Sequence, residues 1–292
     1  MSQTSELVRA QFSQGDAARD QGLVTPSDVR RYDDLAYGPN PHWHLLDLYR
    51  PRALDGKKLP VIVSVHGGAW VYGDKARYQY YCMSLAQQGF AVVNFTYRLA
   101  PEFQFPASLE DSNLAFSWVL EHADEYGLDG GHVFAVGDSA GGHLLALYTA
   151  MCTNPEYAGQ YPFAPPRGFV PRGIALNCGV YHIERQTGDL TTLLMEELLP
   201  QKGTAQELRQ IDVPSHVNRN FPPVFIMTAN NDFLREQALL LAQALMKQEV
   251  CFLFHFYSDQ IHPLDHVFHC NIKLPEAARC NAEECNFFKR LL

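Results

Sequence analysis

No stretch of this 292-residue sequence approaches the roughly eighteen consecutive apolar residues of a membrane-spanning helix. Basic clusters are missing as well. Lys and Arg number 23 against 32 Asp and Glu, a formal charge of −9, so neither nucleic acid nor an anionic membrane is an expected partner. The opening Met1-Ser2-Gln3-Thr4-Ser5-Glu6 lacks a charged segment followed by an apolar core, so no secretory signal is expected. The seven cysteines, scattered from Cys82 to Cys285, form no Cys-x-x-Cys pair. An odd, scattered set reads as reduced thiols in a cytoplasmic protein, Cys270, Cys280 and Cys285 included. Internal repeats and low-complexity tracts are absent too. These absences leave a globular chain, and a 47% apolar content gives it ample core.

What is present is an alternation of apolar runs and helical patterns. Strands are expected at 44–49, 61–65, 91–97, 133–137, 173–178, 224–229 and 251–257. Helices are expected at 78–88, 109–126, 139–152, 233–248 and 275–292. That alternation predicts an α/β fold with a mostly parallel central sheet covered by helices on both faces. The expected organisation is one domain over 1–292. Two segments break the pattern. Residues 1–35 are polar and read as an N-terminal extension, either packed over the site or loose. Residues 181–220, with helical pieces at 190–199 and 204–210, read as a small lid or insertion of the kind that shapes substrate choice. A Pro-rich loop at 154–171 lies near the strand ends or the sheet edge.

The most informative segment is Gly137-Asp138-Ser139-Ala140-Gly141-Gly142. It follows the apolar run His132-Val133-Phe134-Ala135-Val136 and opens onto a helix-like stretch. Gly-x-Ser-x-Gly between a strand and a helix is a nucleophile elbow, in which small neighbours let the serine sit on a sharp turn with its Oγ clear of the backbone. Ser139 is therefore the candidate nucleophile. Upstream, a second apolar run ends in His66-Gly67-Gly68-Ala69-Trp70. Acyl transfer passes through a tetrahedral oxyanion, and consecutive glycines after a strand can aim their N–H groups at it. Gly67, Gly68 and, from the elbow, Ala140 are the expected oxyanion hole. His66 is read as a structural residue holding that loop, and Trp70 as a wall of the substrate pocket. Asp138 is read as a structural carboxylate.

Together these two motifs resemble those of the α/β-hydrolases, in the hormone-sensitive-lipase-like branch of esterases. Tyr97-Arg98-Leu99-Ala100-Pro101-Glu102 and Phe105-Pro106-Ala107-Ser108-Leu109-Glu110-Asp111 look like two further shared blocks, and the likeness spans roughly residues 42–290. Glu110 or Asp111 is expected to tether the Tyr97-Arg98 loop.

The resemblance implies the chain order Ser, Asp, His. Asp232 follows the apolar run ending at Ala229, where sites lie in open α/β sheets, and is the candidate acid; a helix-capping role is compatible with the same position. Asp212 and Asp189 lack a preceding strand. Three histidines follow the last strand: His262, His266 and His269. His266-Val267-Phe268 fits the His-x-Phe pattern that the resemblance implies for the base, whereas His262 and His269 do not. Pro263 argues against a regular helix that would gather the three around a metal, and a serine with an oxyanion hole needs none. No cofactor is expected.

The expected activity is serine-dependent cleavage of short-chain carboxylic esters through an acyl-enzyme, on a small-molecule substrate such as an acetylated sugar or an aryl ester. Two alternatives stand beside it. One is an arylformamidase-like amide hydrolase and the other a non-catalytic ligand-binding protein on the same fold. A homodimer is left open.

Overall fold

The computed structural model describes residues 3–186, 188–259 and 262–292. Residues 1 and 2 of the expected extension, residue 187 of the expected lid and residues 260 and 261 of the histidine loop lie outside the described residues. In chain order the elements begin with α1 (Gln3–Asp20), β1 (Val29–Ala36), β2 (Leu45–Pro51), β3 (Leu59–Val65), α2 (Lys75–Ala86) and β4 (Ala91–Phe95). Next come α3 (Ala107–Glu121), β5 (Leu128–Asp138), α4 (Ser139–Thr153), α5 (Pro155–Ala158) and β6 (Ile174–Asn177). The chain continues through α6 (Leu190–Leu198), α7 (Ala205–Gln210), α8 (Val213–His216), β7 (Val224–Ala229), α9 (Arg235–Lys247), β8 (Phe252–Tyr257) and α10 (Pro275–Lys289).

The eight strands among the described residues form one sheet in the order β1-β2-β4-β3-β5-β6-β7-β8. Only β2 runs against its neighbours, and every pairing from β4 to β8 is parallel. This is the α/β hydrolase arrangement that the sequence predicts. Strands β4, β6 and β7 are buried along their whole length, as strands covered on both faces must be.

The period of two along each strand divides the core. Val61, Val63 and Val65 of β3 pack into one apolar layer, with α3 and α4, while Ile62 packs into the other, with α2 and α10. On β5, Ala135 and Val136 separate in the same way. Each fully buried aliphatic side chain of this kind contributes about 1.5–3 kcal/mol. On the far side, β8 forms the open edge and exposes Leu253, Phe254 and Phe256.

Two elements differ from expectation. Residues 29–35 are not part of a loose extension, because β1 pairs with β2 from Val29↔Pro51 to Ala36↔Leu45. The extension proper is the helix α1. The expected lid pieces are present as α6 and α7, followed by α8, and they are docked: Leu194, Met195, Leu198, Ile211 and Val213 all belong to the main core.

The sheet order places the site. The chain runs from β3 outward to β4 and then returns to β5 on the other flank of β3. Loops leaving the carboxyl ends of β3 and β5 therefore diverge around one crevice, where ligands of open α/β sheets bind. Val65↔Gly137 is the last registered pair of these two strands, so the His66-Gly67-Gly68 loop and the Ser139 elbow emerge side by side.

Candidate active site

Ser139 begins α4 directly after β5, with φ of 50°, a left-handed conformation that costs a non-glycine residue energy. The elbow survives because its neighbours are small. A Cβ on Gly137 would stand 2.6 Å from the Gly141 carbonyl oxygen, and one on Gly141 would overlap the Val65 and His66 carbonyls. The turn leaves Ser139 half-buried, while Ala140 and the first turn of α4 are buried behind it. Those first amides have no carbonyl a turn earlier, so they point their N–H groups and the positive end of the helix dipole into the crevice.

Asp232 stands three residues past β7 and is 2% exposed. Its Oδ1 accepts Nδ1–H of His266 at 2.7 Å and the Leu234 amide at 2.9 Å, and its Oδ2 accepts the Thr228 hydroxyl at 2.7 Å. Burial by itself would raise the Asp232 carboxyl, but these donors, His266 foremost, outweigh it and hold it below the usual carboxylate range. It is thus a charged acceptor that orients the imidazole, and through Leu234 it also shapes the turn into α9.

Of the three histidines in the final loop, His266 is the one bonded to Asp232. His262 is exposed, its amide bonded to Asp259, and His269 is fully buried with Nε2 3.5 Å from the Cys270 thiol.

The loop after β3 is where the structure corrects the sequence reading. The Gly67 N–H donates to the Tyr78 hydroxyl at 2.9 Å, and that hydroxyl donates to Asp138 Oδ2 at 2.7 Å. Gly67 is therefore engaged in holding its loop and has no N–H to offer an oxyanion. No group among the described residues accepts from the next two amides, Gly68 and Ala69. Gly68, Ala69 and Trp70 carry φ of 121°, 52° and 61°, a strained run of the kind found where backbone is shaped for function. A side chain on Gly68 would overlap the Tyr72 carbonyl. The amides open to a developing negative charge are thus those of Gly68, Ala69 and Ala140. Motif reading kept Gly68 but chose Gly67 in place of Ala69, because the pair of glycines drew attention to the earlier amide and nothing local marked Tyr78.

His66 is structural, as expected. Fully buried, it stacks on Tyr97 at 3.9 Å and donates from Nδ1 to the Gly67 carbonyl at 2.7 Å; burial lowers its pKa to about 4, so it is neutral. Trp70, expected to wall the pocket, is 4% exposed and donates its indole N–H to His143 Nδ1 at 3.2 Å. His143 Nε2–H donates in turn to the Ile211 carbonyl at 2.8 Å. The chain Trp70–His143–Ile211 braces the β3 loop against α4 and the lid, and bracing is the role the structure gives Trp70.

Burial raises Asp138 to about 6, against the lowering effect of the Tyr78 hydroxyl. It is structural, although its hydroxyl partner was not foreseen. The expected tether of the Arg98 loop is present: Asp111 accepts from the Arg98 amide at 2.7 Å and the guanidinium at 2.6 Å, and Glu110 accepts at 2.7 Å.

Among the described residues two groups of donor atoms lie close together, Cys178 with Asp232 and His266, and Asp138 with His269 and Cys270. The donors already face one another or protein partners, and acyl transfer by a serine needs no cation.

A family profile described as alpha/beta hydrolase fold matches residues 62–266. Esterase LipC of Mycobacterium tuberculosis (strain ATCC 25618 / H37Rv) is 32% identical over 177 residues, covering 53% of this chain and 44% of the relative. Esterase LipQ of the same organism is 30% identical over 241 residues, covering 75% and 55%. The chain thus spans about half the length of these relatives. Among solved structures, an inhibited esterase B from Lactobacillus rhamnosis superposes with a TM-score of 0.90 at 26% identity, covering 99% of this chain and 97% of that one. An esterase of Pyrobaculum calidifontis gives 0.80 at 25% identity, covering 98% and 93%.

Proposed function

Since the chain belongs to the alpha/beta hydrolase family whose profile spans its catalytic core, we propose that it is a serine hydrolase cleaving short-chain carboxylic esters through an acyl-enzyme. The observation that carries this reading is the 2.7 Å bond between His266 and a buried, charged Asp232, on loops that follow neighbouring strands of the sheet bearing the Ser139 elbow. The similarity to esterases in sequence and in structure supports the ester as substrate class.

In this mechanism His266 takes the Ser139 proton as Oγ attacks the acyl carbonyl. The amides of Gly68, Ala69 and Ala140 receive the negative charge that develops on the carbonyl oxygen. As the C–O bond breaks, His266 returns the proton to the leaving alcohol, and water then repeats the sequence on the acyl-enzyme. Asp232 fixes the imidazole tautomer and stabilises the imidazolium.

Hydrolysis of p-nitrophenyl acetate, butyrate, octanoate and palmitate tests this reading. Acetate or butyrate is the expected best substrate, and both Ser139→Ala and His266→Ala should lower kcat by at least about a thousandfold. Activity that survives Ser139→Ala would overturn the mechanism. A protein inert to esters that cleaves N-formylkynurenine would be an amide hydrolase; one inert to both and unlabelled by a fluorophosphonate would be a binding protein.

A further inference from the structure

We propose that Phe233 sets leaving-group specificity and that the alcohols released at this site are aromatic, an inference that rests on the ester-hydrolase reading above. Phe233 is 77% exposed, yet its ring centroid lies 4.4 Å from that of His266 with the planes inclined by 45°. Its direction is imposed by the turn. Asp232 accepts the Leu234 amide two residues on, a local turn that holds Asp232 inward while Phe233 stands outward at the corner. The same carboxylate therefore orients the base and places an aromatic ring against it.

The chemistry selects which part of the substrate meets that ring. When the acyl C–O bond breaks, its electron pair stays on the leaving oxygen, which accepts the proton that His266 took from Ser139. The leaving oxygen must then lie within about 3 Å of the imidazole. The group it carries extends past the imidazole edge, within reach of a ring only 4.4 Å away. The His266 side chain is itself 18% exposed, so the imidazole is not sealed from a substrate. An aryl group in that position gains an offset-stacked or edge-to-face contact with Phe233, whereas a small alkyl group gains only partial burial.

The experiment compares kcat/KM for phenyl acetate with that for an alkyl acetate and an acetylated sugar, in the unaltered protein, Phe233→Ala, Phe233→Leu and Phe233→Tyr. Phe233→Ala should lower the phenyl-to-alkyl ratio by about three- to tenfold, chiefly through KM. Leu should recover part of the ratio at most, and Tyr most of it. An unchanged ratio would overturn the proposal. So would an equal loss on both esters with a displaced acid limb of the pH profile, the mark of a ring that only shields the His266–Asp232 bond. A selective loss on the sugar ester would overturn aromatic alcohols as the class. If the unaltered protein cleaves none of these esters, the reading beneath the proposal fails and takes it along.

Discussion

Tyr78 shows how one side chain outside every motif governs the chemistry of two. Its hydroxyl accepts from the Gly67 amide and donates to Asp138, joining the β3 loop to the residue that precedes the nucleophile. The pair it serves is buried, with Asp138 2% exposed, so losing the hydroxyl leaves a donor and an acceptor without their partner. Tyr78→Phe should lower stability by about 1–3 kcal/mol in thermal unfolding. It should also reduce kcat several-fold with a smaller change in KM, because that anchor aims the Gly68 and Ala69 amides, the proposed donors to the transition state. Loss of stability with unaltered kcat would separate the anchor from the oxyanion loop. Ser139, Asp232 and His266 were legible as candidates because elbow, strand end and His-x-Phe are local patterns. The Gly67 amide was misread because its acceptor lies eleven residues away on another element.

The first helix carries the same lesson for elements. The segment of α1 buries only Ser5 and Val8, so it shows little of the apolar stripe that announces a helix. It is held by polar contacts that no pattern reveals. Arg9 donates to the Val71 carbonyl at 2.7 Å and the Ala100 carbonyl at 2.9 Å, and pairs with Glu102 at 2.6 Å; Asp16 accepts the Tyr72 hydroxyl at 2.9 Å. Val71 and Tyr72 end the strained β3 loop, so α1 clamps that loop from outside. The ion pair is partly exposed and contributes about 0–1 kcal/mol, leaving the carbonyl contacts as the stronger part. Arg9→Ala should accelerate proteolytic cleavage within α1 and slow the proposed hydrolysis of p-nitrophenyl acetate. An α1 cut faster with activity unaltered would show that the clamp does not reach the site. Strand β1 escaped notice for a related reason. Its Val-Arg-Arg-Tyr-Asp-Asp-Leu-Ala is an edge strand with mixed exposure, and the bulge between Tyr32 and Leu35, with Asp34 at φ of 57°, breaks the alternation.

Over the whole molecule, the sheet gathers ionisable groups into the interior. Glu284 of α10 is fully buried, accepting from Tyr81 at 2.9 Å and from Asn177 at 2.6 Å, and burial raises its pKa to about 7. In the unfolded chain it ionises near the ordinary glutamate value, so between that value and about 7 the folded state binds the additional proton. The stability it supplies is fully present below the unfolded value and is lost as pH rises through about 7. Glu284→Gln removes that loss. Its melting temperature relative to the unaltered protein should climb from pH 4.5 to 7 and level off above, a difference approaching about 3 kcal/mol. A pH-independent difference would contradict a buried proton on Glu284. The neutral histidines work in the opposite sense. Burial lowers His66 and His143 to about 4 and His269 to about 3, so each withdraws stability as pH falls from 6.5 towards those values.

The sequence by itself determined the strand-and-helix alternation, the parallel interior strands, the elbow and the residue types of the proposed triad. Each of these is written in short-range terms: a period of two, a small residue on either side of a turn, a polar group just past an apolar run. Only the tertiary structure decided which amides face the crevice, that the N-terminal segment is a clamp, that Trp70 braces its loop, and that Phe233 stands against His266. Those outcomes depend on hydrogen-bond partners and ring contacts between residues far apart in the chain. Whether an N–H is free or engaged is fixed by the acceptor that folding brings to it.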